Sequence, residues 1–303
     1  MNPQNFFLQL GGALSEGFPA IHAVVYKSGA GTPFLTQPGV VLAAKPHVQL
    51  SNLQPFFDGF DPALEFSSYL QDTSPLPAGA QLCKVAGQTC YASFSPKRTM
   101  NAQAGRYFEN IMSSGHGSVL EHATYSFFLY GLSRSLTHEM IRHRAGFGYS
   151  QLSQRYVSGR VLRFVERPEF QDVGELHQKF LKRIDAAYAE YHDLAEKLLQ
   201  EQREGTTILT AEAKTDLRKK VNQAARAVLP NETETLMVAT ANVRAWRHFI
   251  EMRASPHSEL EIRALAVRIF LSLTAIEPIL FGDYQLIALP DGTYSVSTAM
   301  AKV

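Results

Sequence analysis

The sequence predicts an α+β fold, because it contains segments with the periodicity of strands and segments with the periodicity of helices. Residues 123–130 are aromatic and rich in types that favour strands. Over residues 168–201, apolar residues recur every three or four positions with charges between them, which indicates a long amphipathic helix. No G-x-G-x-x-G follows a predicted strand, so a Rossmann βαβ unit is not expected.

Composition limits the classes of protein that remain. The chain has 303 residues, 45% of them hydrophobic, which is enough for a sizeable core in one large domain or two small ones. The net charge is only +1, so no overall field attracts nucleic acid or a membrane, and any anion site must be a local cluster. The first basic residue is Lys27 and no long apolar stretch occurs, so we predict neither a signal peptide nor a spanning helix and expect the cytoplasm. Cys83 and Cys90 fit no metal spacing and no disulfide framework.

Residues 1–80 differ in composition from the rest of the chain. They hold nine of the 15 prolines and no arginine, and their only bases are Lys27 and Lys45. Short apolar runs at residues 23–26 and 40–43 lie between glycine and proline residues, which predicts short strands or an ordered arm. Because no chemistry-bearing motif occurs there, we interpret residues 1–80 as an N-terminal extension of unknown role that covers a sheet edge or an oligomer face. The main domain is then 81–303.

Further along the chain, apolar spacing and capping residues predict the other elements. Residues 132–144 are expected to form a helix with Gly146 as its C-terminal cap, and Ser118 is expected to cap the segment that follows a break at 114–117. Other predicted elements are helices at 102–113, 214–227 and 258–274 and a short strand at 161–165.

The helix predicted at 132–144 contains a pattern close to the zinc-protease motif H-E-x-x-H. Its two histidines, His138 and His143, are five residues apart. On a helix they would differ by about 140° and could not chelate one metal as an i, i+4 pair does. No metal site is predicted here.

Arg142, His143 and Arg144 form a local cationic cluster at the end of that predicted helix, followed by a glycine-containing loop at 145–148. If residues 150–156 are extended, Gln151, Ser153 and Arg155 lie on one face of the strand. An amide, a hydroxyl and a guanidinium that point the same way suit a phosphate and a polar ring. The alternative is that the cluster is a solvated helix terminus that complements the helix dipole. The local physics leaves both interpretations open.

Three ordered blocks resemble the signature of flavin-dependent thymidylate synthases. They are GHGSVLEH at 115–122, Arg-His-Arg followed by SQLSQRY at 142–156, and ANVRAWRHFIEMRASPHSELEI at 241–262. The resemblance covers roughly residues 81–285. It departs from the family at one point, because eight residues, 145–152, separate Arg-His-Arg from the serine where the family has seven. We interpret the extra residue as a loop insertion near Gly146 and Gly148, since glycine absorbs it at least cost.

The resemblance implies an antiparallel sheet packed with long helices, a family core that does not require residues 1–80, and a homotetramer whose subunits share their sites. It implies that Arg253 is the catalytic residue and contacts the uracil ring, and that Arg226 reaches the nucleotide from a neighbouring subunit. The substrate-binding positions that it implies are Glu139, Gln151, Ser153, Arg155, Arg226 and Arg253. The implied flavin-binding positions are Ser93, His116, Ser118, Arg142, His143, Arg144, Ser150, Asn242, Arg244, His248 and His257.

The implied reaction is the reductive methylation of deoxyuridine monophosphate (dUMP) to thymidine monophosphate (dTMP). Methylenetetrahydrofolate gives the carbon, and FAD relays reducing equivalents from NADPH. Arginines suit this substrate, because guanidinium groups form bidentate hydrogen bonds with phosphate and can stabilise negative charge that develops on the ring. No cysteine nucleophile is expected, since Cys83 and Cys90 lie outside the three blocks. Two other classes stay open: a metal-dependent nucleotide hydrolase that uses some of the ten histidines, and a flavin- or nucleotide-binding homologue without catalysis.

Overall fold

The computed structural model describes residues 1–204 and 211–300 as strands, helices and short connections. The strands are β1 (Ala13–Ser15), β2 (Phe18–Ile21), β3 (Val25–Lys27), β4 (Pro33–Leu35), β5 (Gly39–Ala44), β6 (Thr124–Ser133), β7 (Phe147–Gln151), β8 (Phe164–Val165), β9 (Glu234–Asn242), β10 (Gln285–Ala288) and β11 (Tyr294–Ser297).

The α-helices of these residues are α1 (Pro3–Gln9), α2 (Gln54–Asp58), α3 (Ala78–Thr89), α4 (Ala104–Ser113), α5 (Arg134–Met140), α6 (Pro168–Gln171), α7 (Gly174–Glu204), α8 (Ala211–Ala225), α9 (Val243–Arg253), α10 (Leu260–Ile276) and α11 (Pro278–Phe281). Short 3₁₀ helices occur at Ser51–Leu53, Pro62–Leu64, Phe66–Gln71, Asn101–Gln103, Gly117–Glu121, Gly159–Val161 and Arg226–Val228.

A six-stranded sheet in the order β1-β2-β5-β6-β9-β7 is the centre of the fold. Every neighbouring pair in it is antiparallel. A second sheet, β3-β4-β8, contains the parallel pair β4–β8, and β10 and β11 form a hairpin. The predicted α+β class with an antiparallel sheet packed against helices is therefore confirmed.

The main hydrophobic core lies on one face of the central sheet, against α9 and α10. Alternation along β6 points Tyr125, Phe127 and Leu129 into this core, because successive side chains of a strand face opposite sides. Phe127 packs edge-to-face on the buried Trp246 of α9, with ring centroids 5.3 Å apart. The site residues carried by α9 are thus fixed to the sheet by aromatic packing.

Three strands before position 45, β1, β2 and β5, belong to the same central sheet. β5 pairs along β6 from Gly39 opposite Tyr130 to Ala44 opposite Ser126, and so covers that edge of β6. The strand expected at 40–43 is found as β5, and the run at 23–26 overlaps β3. The separate role of residues 1–80 and the boundary at 80 stay predictions.

Three predicted details of the helices were wrong. The helix expected at 132–144 is the shorter α5, because β6 continues to Ser133, whose Oγ accepts a hydrogen bond from Leu136 N at 3.0 Å and caps the helix. The helix expected at 168–201 is broken after α6, so that α7 begins only at Gly174. Ser118 is not a cap, because the 3₁₀ turn that contains it begins one residue earlier, at Gly117.

Gly146 does not cap α5 either, since that helix has its C-cap at Ile141. With a φ of +75°, Gly146 instead closes the turn in which Phe147 N donates to Arg144 O at 3.2 Å and β7 begins. Gly148 lies within β7, opposite Thr240. Across the described ranges, none of the helices has the length and apolar character needed to cross a membrane.

Candidate active site

Arg253, the predicted catalytic residue, links the end of α9 to the end of α5. Its Nε donates a hydrogen bond to Nε2 of His143 at 2.9 Å. Its Nη1 forms an ion pair with Oε2 of Glu139 at 2.6 Å, and its Nη2 lies 3.4 Å from the Glu139 carbonyl oxygen. Three residues that the sequence assigned to binding and catalysis therefore meet in one hydrogen-bonded group.

His143 can accept from Arg253 only while its imidazole is neutral. Burial, the charge of Arg253 and the neighbouring His248 together lower the pKa of His143 to about 4. Its ring also packs on His248 and Phe249, with centroids 5.7 Å and 5.1 Å away. At neutral pH His143 is therefore a fixed, uncharged acceptor that orients the guanidinium.

The chain around His143 is itself held by Tyr149 of β7. The Tyr149 hydroxyl lies 3.0 Å from the carbonyl oxygen of Met140 and 2.9 Å from that of His143. Met140 is the last residue of α5 and His143 follows it, so both carbonyls lie where the i to i+4 hydrogen bonds of the helix end. Strand β7 thus supports the position of the residues that orient Arg253.

Glu139 lies between Arg253 and a second carboxyl group, that of Glu259. Burial and a hydrogen bond with Glu259 raise the pKa of Glu139, while Arg253 lowers it. Glu259 also forms an ion pair with Arg167. The sequence interpretation missed Glu259 and Arg167, although Glu259 lies inside the third signature block.

Four of the predicted flavin-binding residues line one cavity of about 700 Å³: Ser93, His116, Ser118 and Arg244. Arg244 comes from the first turn of α9, whose N-cap is Asn242; the Asn242 Oδ1 accepts from Ala245 N at 2.9 Å. Arg244 also forms an ion pair with Glu121 at 2.6 Å.

The same cavity is lined by residues that the sequence interpretation did not single out: Tyr91, Lys97, Arg98, Thr99 and Tyr107. A signal for two of them was available, because Lys97 and Arg98 follow Ser93 closely. Hydroxyls, an imidazole and several cations around a cavity of this size fit a ligand that carries both rings and phosphates. The residues present are therefore compatible with a flavin nucleotide.

Gln151, Ser153 and Arg155 do not share one face of an extended strand, which corrects the prediction for residues 150–156. β7 ends at Gln151, which donates to Thr137 Oγ1 at 3.3 Å and Thr235 Oγ1 at 3.2 Å. The Ser153 carbonyl oxygen then accepts from Tyr156 N and Val157 N at 3.2 and 3.1 Å, so the chain turns. The last backbone hydrogen bond to β9 is from Leu152 N to Leu236 O at 2.9 Å, and the chain leaves the ladder there.

Arg226 lies beside Arg134, the first residue of α5. Burial and the charge of Arg226 lower the pKa of Arg134. One helical turn before Arg226, the Asn222 amide donates to the Arg155 carbonyl oxygen at 3.4 Å, and Nε of Arg155 is buried without a partner. Within residues 1–204 and 211–300, none of these three arginine side chains has a carboxylate partner. Their arrangement suits an external anion.

The remaining predicted positions lie apart from these hydrogen-bonded groups. Four of them are exposed: Arg142, Arg144, Ser150 and His257. Arg142 is close enough to Glu139 to act on its charge, whereas Asn242 uses its side chain as a helix cap. In the part of the chain that the structure describes, no group of three or more His, Cys, Asp or Glu residues is arranged to hold a metal ion.

Comparisons with known proteins agree with this geometry. The thymidylate synthase complementing protein family matches residues 70–279. A flavin-dependent thymidylate synthase of Mycolicibacterium gilvum is 47% identical over 226 residues, which cover 74% of this chain and 86% of that protein. One of Mycobacterium tuberculosis is 44% identical over 229 residues, which cover 76% and 89%.

A solved structure shares the fold. The UMP/dUMP methylase PolB from Streptomyces cacaoi, bound with 5-Br dUMP, superposes with a TM-score of 0.53 and covers 82% of this chain and 94% of its own. Its sequence identity to this chain is 17%, so the likeness concerns architecture alone.

Proposed function

This chain belongs to the thymidylate synthase complementing protein family, and from that membership we propose that it catalyses the reductive methylation of dUMP to dTMP. The membership confirms the resemblance of the three sequence blocks. The observation that carries the proposal is Arg253, which is held by Glu139 and His143 and keeps its positive charge in a partly buried group.

Arg253 acts on the pyrimidine. Its guanidinium is oriented before the substrate arrives, so it can stabilise negative charge on the uracil ring as that charge develops, without the cost of reorganisation. Glu139 and neutral His143 keep the guanidinium in place, and exclude the alternative orientations that a free arginine samples. Gln151, whose amide is anchored to Thr137 and Thr235, adds a fixed polar group near the same helix.

The nucleotide phosphate is bound by arginines near the start of α5 that have no carboxylate partner among the described residues. Arg226 and Arg155 were predicted for this role with Ser153, and Arg134 joins them through its proximity to Arg226. A dianionic phosphate supplies the negative charge that these three arginines lack, and bidentate guanidinium contacts fix the orientation of the phosphate.

No thiol of the chain is suited to attack the ring. Cys83 is fully buried, and burial raises its pKa to about 12, so it stays protonated. Cys90 lines the 700 Å³ cavity, where it is grouped with the predicted flavin-binding residues and not with Arg253. This arrangement supports a reaction without an enzymatic nucleophile.

FAD is the proposed cofactor, with NADPH and methylenetetrahydrofolate as co-substrates. When bound, the flavin supplies the reducing equivalents that the methylation requires. Ser93, His116, Ser118 and Arg244 would hold it, with Lys97 and Arg98 as further cations of the cavity. The exposed Arg142 and Arg144 would line the entry side for folate, with Ser150, His248 and His257 as supporting positions.

A homotetramer is the proposed assembly, in which Arg226 completes the nucleotide site of a neighbouring subunit. Its support is the position of Arg226 beside Arg134, at the opposite end of α5 from Glu139 and Arg253. Light scattering of the purified protein tests the assembly, and a monomer would contradict it.

The decisive experiment is anaerobic stopped-flow absorbance in the flavin band. FAD-reconstituted protein is reduced with NADPH and then mixed with dUMP and methylenetetrahydrofolate, and products are analysed for dTMP. We expect flavin reoxidation together with dTMP formation. Flavin binding and reduction without dTMP would instead identify a binding homologue whose extra loop residue has cost it catalysis. Activity abolished by a chelator, without flavin binding, would favour the hydrolase.

A further inference from the structure

A cleft of about 420 Å³ lies between α1, α10 and the turn of the β10–β11 hairpin, and its described lining includes none of the proposed active-site residues. Most of its lining is apolar, with Phe6, Leu10, Val267 and Tyr294 among the side chains. Phe6 and Tyr294 pack on each other with ring centroids 4.1 Å apart. Volume and lining are those of a small-molecule site.

One cation in this apolar lining has no counter-ion among the described residues. Arg268 of α10 is only 8% exposed, and it donates to two neutral acceptors, the carbonyl oxygen of Pro38 at 3.0 Å and Oε1 of Gln37 at 3.1 Å. Its Nη1 has no hydrogen-bond partner among the described residues. Burial lowers the pKa of Arg268 to about 10, which still leaves it charged at neutral pH.

The other arginine in the lining, Arg263, differs from Arg268 because it has an acidic partner. Arg263, 3% exposed, forms an ion pair with Asp291 at 2.6 Å and donates to Thr293 Oγ1 at 2.9 Å. Among the described residues that line the cleft, none is acidic. A buried charge is costly unless it is paired, so Arg268 is poised to bind an external anion.

We propose that this cleft binds an amphipathic monocarboxylate, whose carboxylate pairs with Arg268 and whose hydrocarbon chain lies against Phe6, Val267 and Tyr294. The apolar lining favours a carboxylate on a hydrocarbon body over a free inorganic anion, which would leave most of the cleft unfilled. Its floor is α10, but Phe6, Gln37 and Tyr294 lie outside the family match at 70–279. The family model therefore does not account for the whole lining of this cleft.

Isothermal titration of the FAD-reconstituted protein with decanoate, below its micellar concentration, tests the proposal. Decanol, which has the same chain without the charge, and inorganic phosphate, which has the charge without the chain, are the comparison ligands. We expect decanoate to bind at least about tenfold more tightly than decanol, and phosphate not to bind at this site. Equal affinities for decanoate and decanol, or no binding of decanoate, would overturn the proposal.

Two variants locate the binding. Arg268→Met keeps a long apolar side chain and removes the charge, so decanoate should weaken at least tenfold while decanol is unchanged. Ala264→Trp fills the cleft and leaves Arg268 in place, so the affinities for decanoate and decanol should both fall. This variant tests the location of the site if Arg268→Met does not fold. Arg183→Met, which removes an arginine paired with Glu232 outside the cleft, is the matched control and should bind decanoate normally. Normal decanoate affinity in the cleft variants would refute the site.

Discussion

The two ends of α5 differ in whether the arginine side chains near them have partners within the protein. At its C-terminal end, Arg253 is fixed by Glu139 and His143 at 2.6 and 2.9 Å. At its N-terminal end, Arg134 and Arg226 lie side by side without a carboxylate in the described part of the chain. In the proposed function, the protein itself orients the cation that would meet charge developing during the reaction, whereas it leaves unpaired the cations that would meet charge already present on the substrate.

This difference has consequences for stability as well as for binding. An arginine that the protein itself pairs, such as Arg253, contributes to folding, because its removal leaves its partly buried partners without a hydrogen bond. An arginine that lies beside another arginine, such as Arg226 beside Arg134, opposes folding slightly, because the two positive charges repel each other until an anion binds. Substitution of Arg253 should therefore lower the free energy of unfolding of the ligand-free protein, whereas substitution of Arg226 should leave it constant or raise it.

The largest effect is expected for Arg253→Ala. Loss of the preorganised guanidinium should lower kcat for dTMP formation by about a hundred- to a thousandfold, a loss comparable to removing one donor from an oxyanion hole. The FAD spectrum should be retained, since Arg253 does not line the 700 Å³ cavity. The measurement is single-turnover product formation with flavin occupancy read from absorbance.

Lys179→Ala is the control for that variant, because it removes an exposed positive charge of α7 that is paired only with Glu175. Its turnover should match the wild type. Normal turnover in Arg253→Ala would remove Arg253 from the mechanism and end the distinction between the two ends of α5.

A smaller effect of a different kind is expected for Arg226→Ala. The dissociation constant for dUMP should rise about 10- to 100-fold, because a charge-assisted contact with phosphate is worth roughly 1.5–3 kcal/mol. The midpoint of thermal unfolding of the ligand-free protein should stay constant or rise, since repulsion with Arg134 is relieved. A clear drop in that midpoint, with dUMP affinity unchanged, would show that Arg226 has a structural partner instead.

Much of this architecture could be predicted from sequence, for a physical reason. β6 alternates between buried and more exposed residues, and α10 is apolar over most of its length, so both elements can be recognised from sequence. Two of the ordered blocks likewise identified His143 and Arg253, which lie 110 residues apart in the chain but are hydrogen-bonded in the fold.

What could not be predicted depends on contacts between distant residues. The start of α5 is set by the pairing of β6 with β9, which reaches Ser133, and by Glu261, which accepts hydrogen bonds from Ser133 N and Oγ. The turn at Ser153 is set by hydrogen bonds from Tyr156 N and Val157 N to the Ser153 carbonyl oxygen, which no periodicity of the sequence indicates. Arg134 is an isolated arginine in the sequence, and only its proximity to Arg226 gives it a role.

The pH dependence of stability tests the neutral state of His143. An unfolded histidine has a pKa near 6.5, and in the folded protein it is about 4, so the unfolded state binds the proton first as pH falls. Stability is therefore lost between about pH 6.5 and 4, by at most about 1.4 kcal/mol per pH unit and less for a partly exposed ring. Chemical unfolding should show this loss.

His143→Gln is the matched variant, because the glutamine oxygen can accept from Arg253 but does not titrate. Between pH 7 and 4.5 it should lose about 1–3 kcal/mol less stability than the wild type, while retaining measurable turnover at pH 7. Identical pH profiles would mean that His143 is charged or free in the folded protein, and that Arg253 is oriented by Glu139 alone.

The smallest effect is expected for Tyr149→Phe, which removes only the hydroxyl that contacts the carbonyls of Met140 and His143. The free energy of unfolding should fall by about 1 kcal/mol, and kcat by a few-fold, because the chain that carries His143 loses one support. Affinity for dUMP should hardly change, since the phosphate arginines lie at the other end of α5. Tyr26→Phe, at an exposed tyrosine, should change none of these quantities. A loss of dUMP affinity equal to the loss in kcat would show that the two ends of α5 are coupled, and that orientation and charge binding are one function of the helix instead of two.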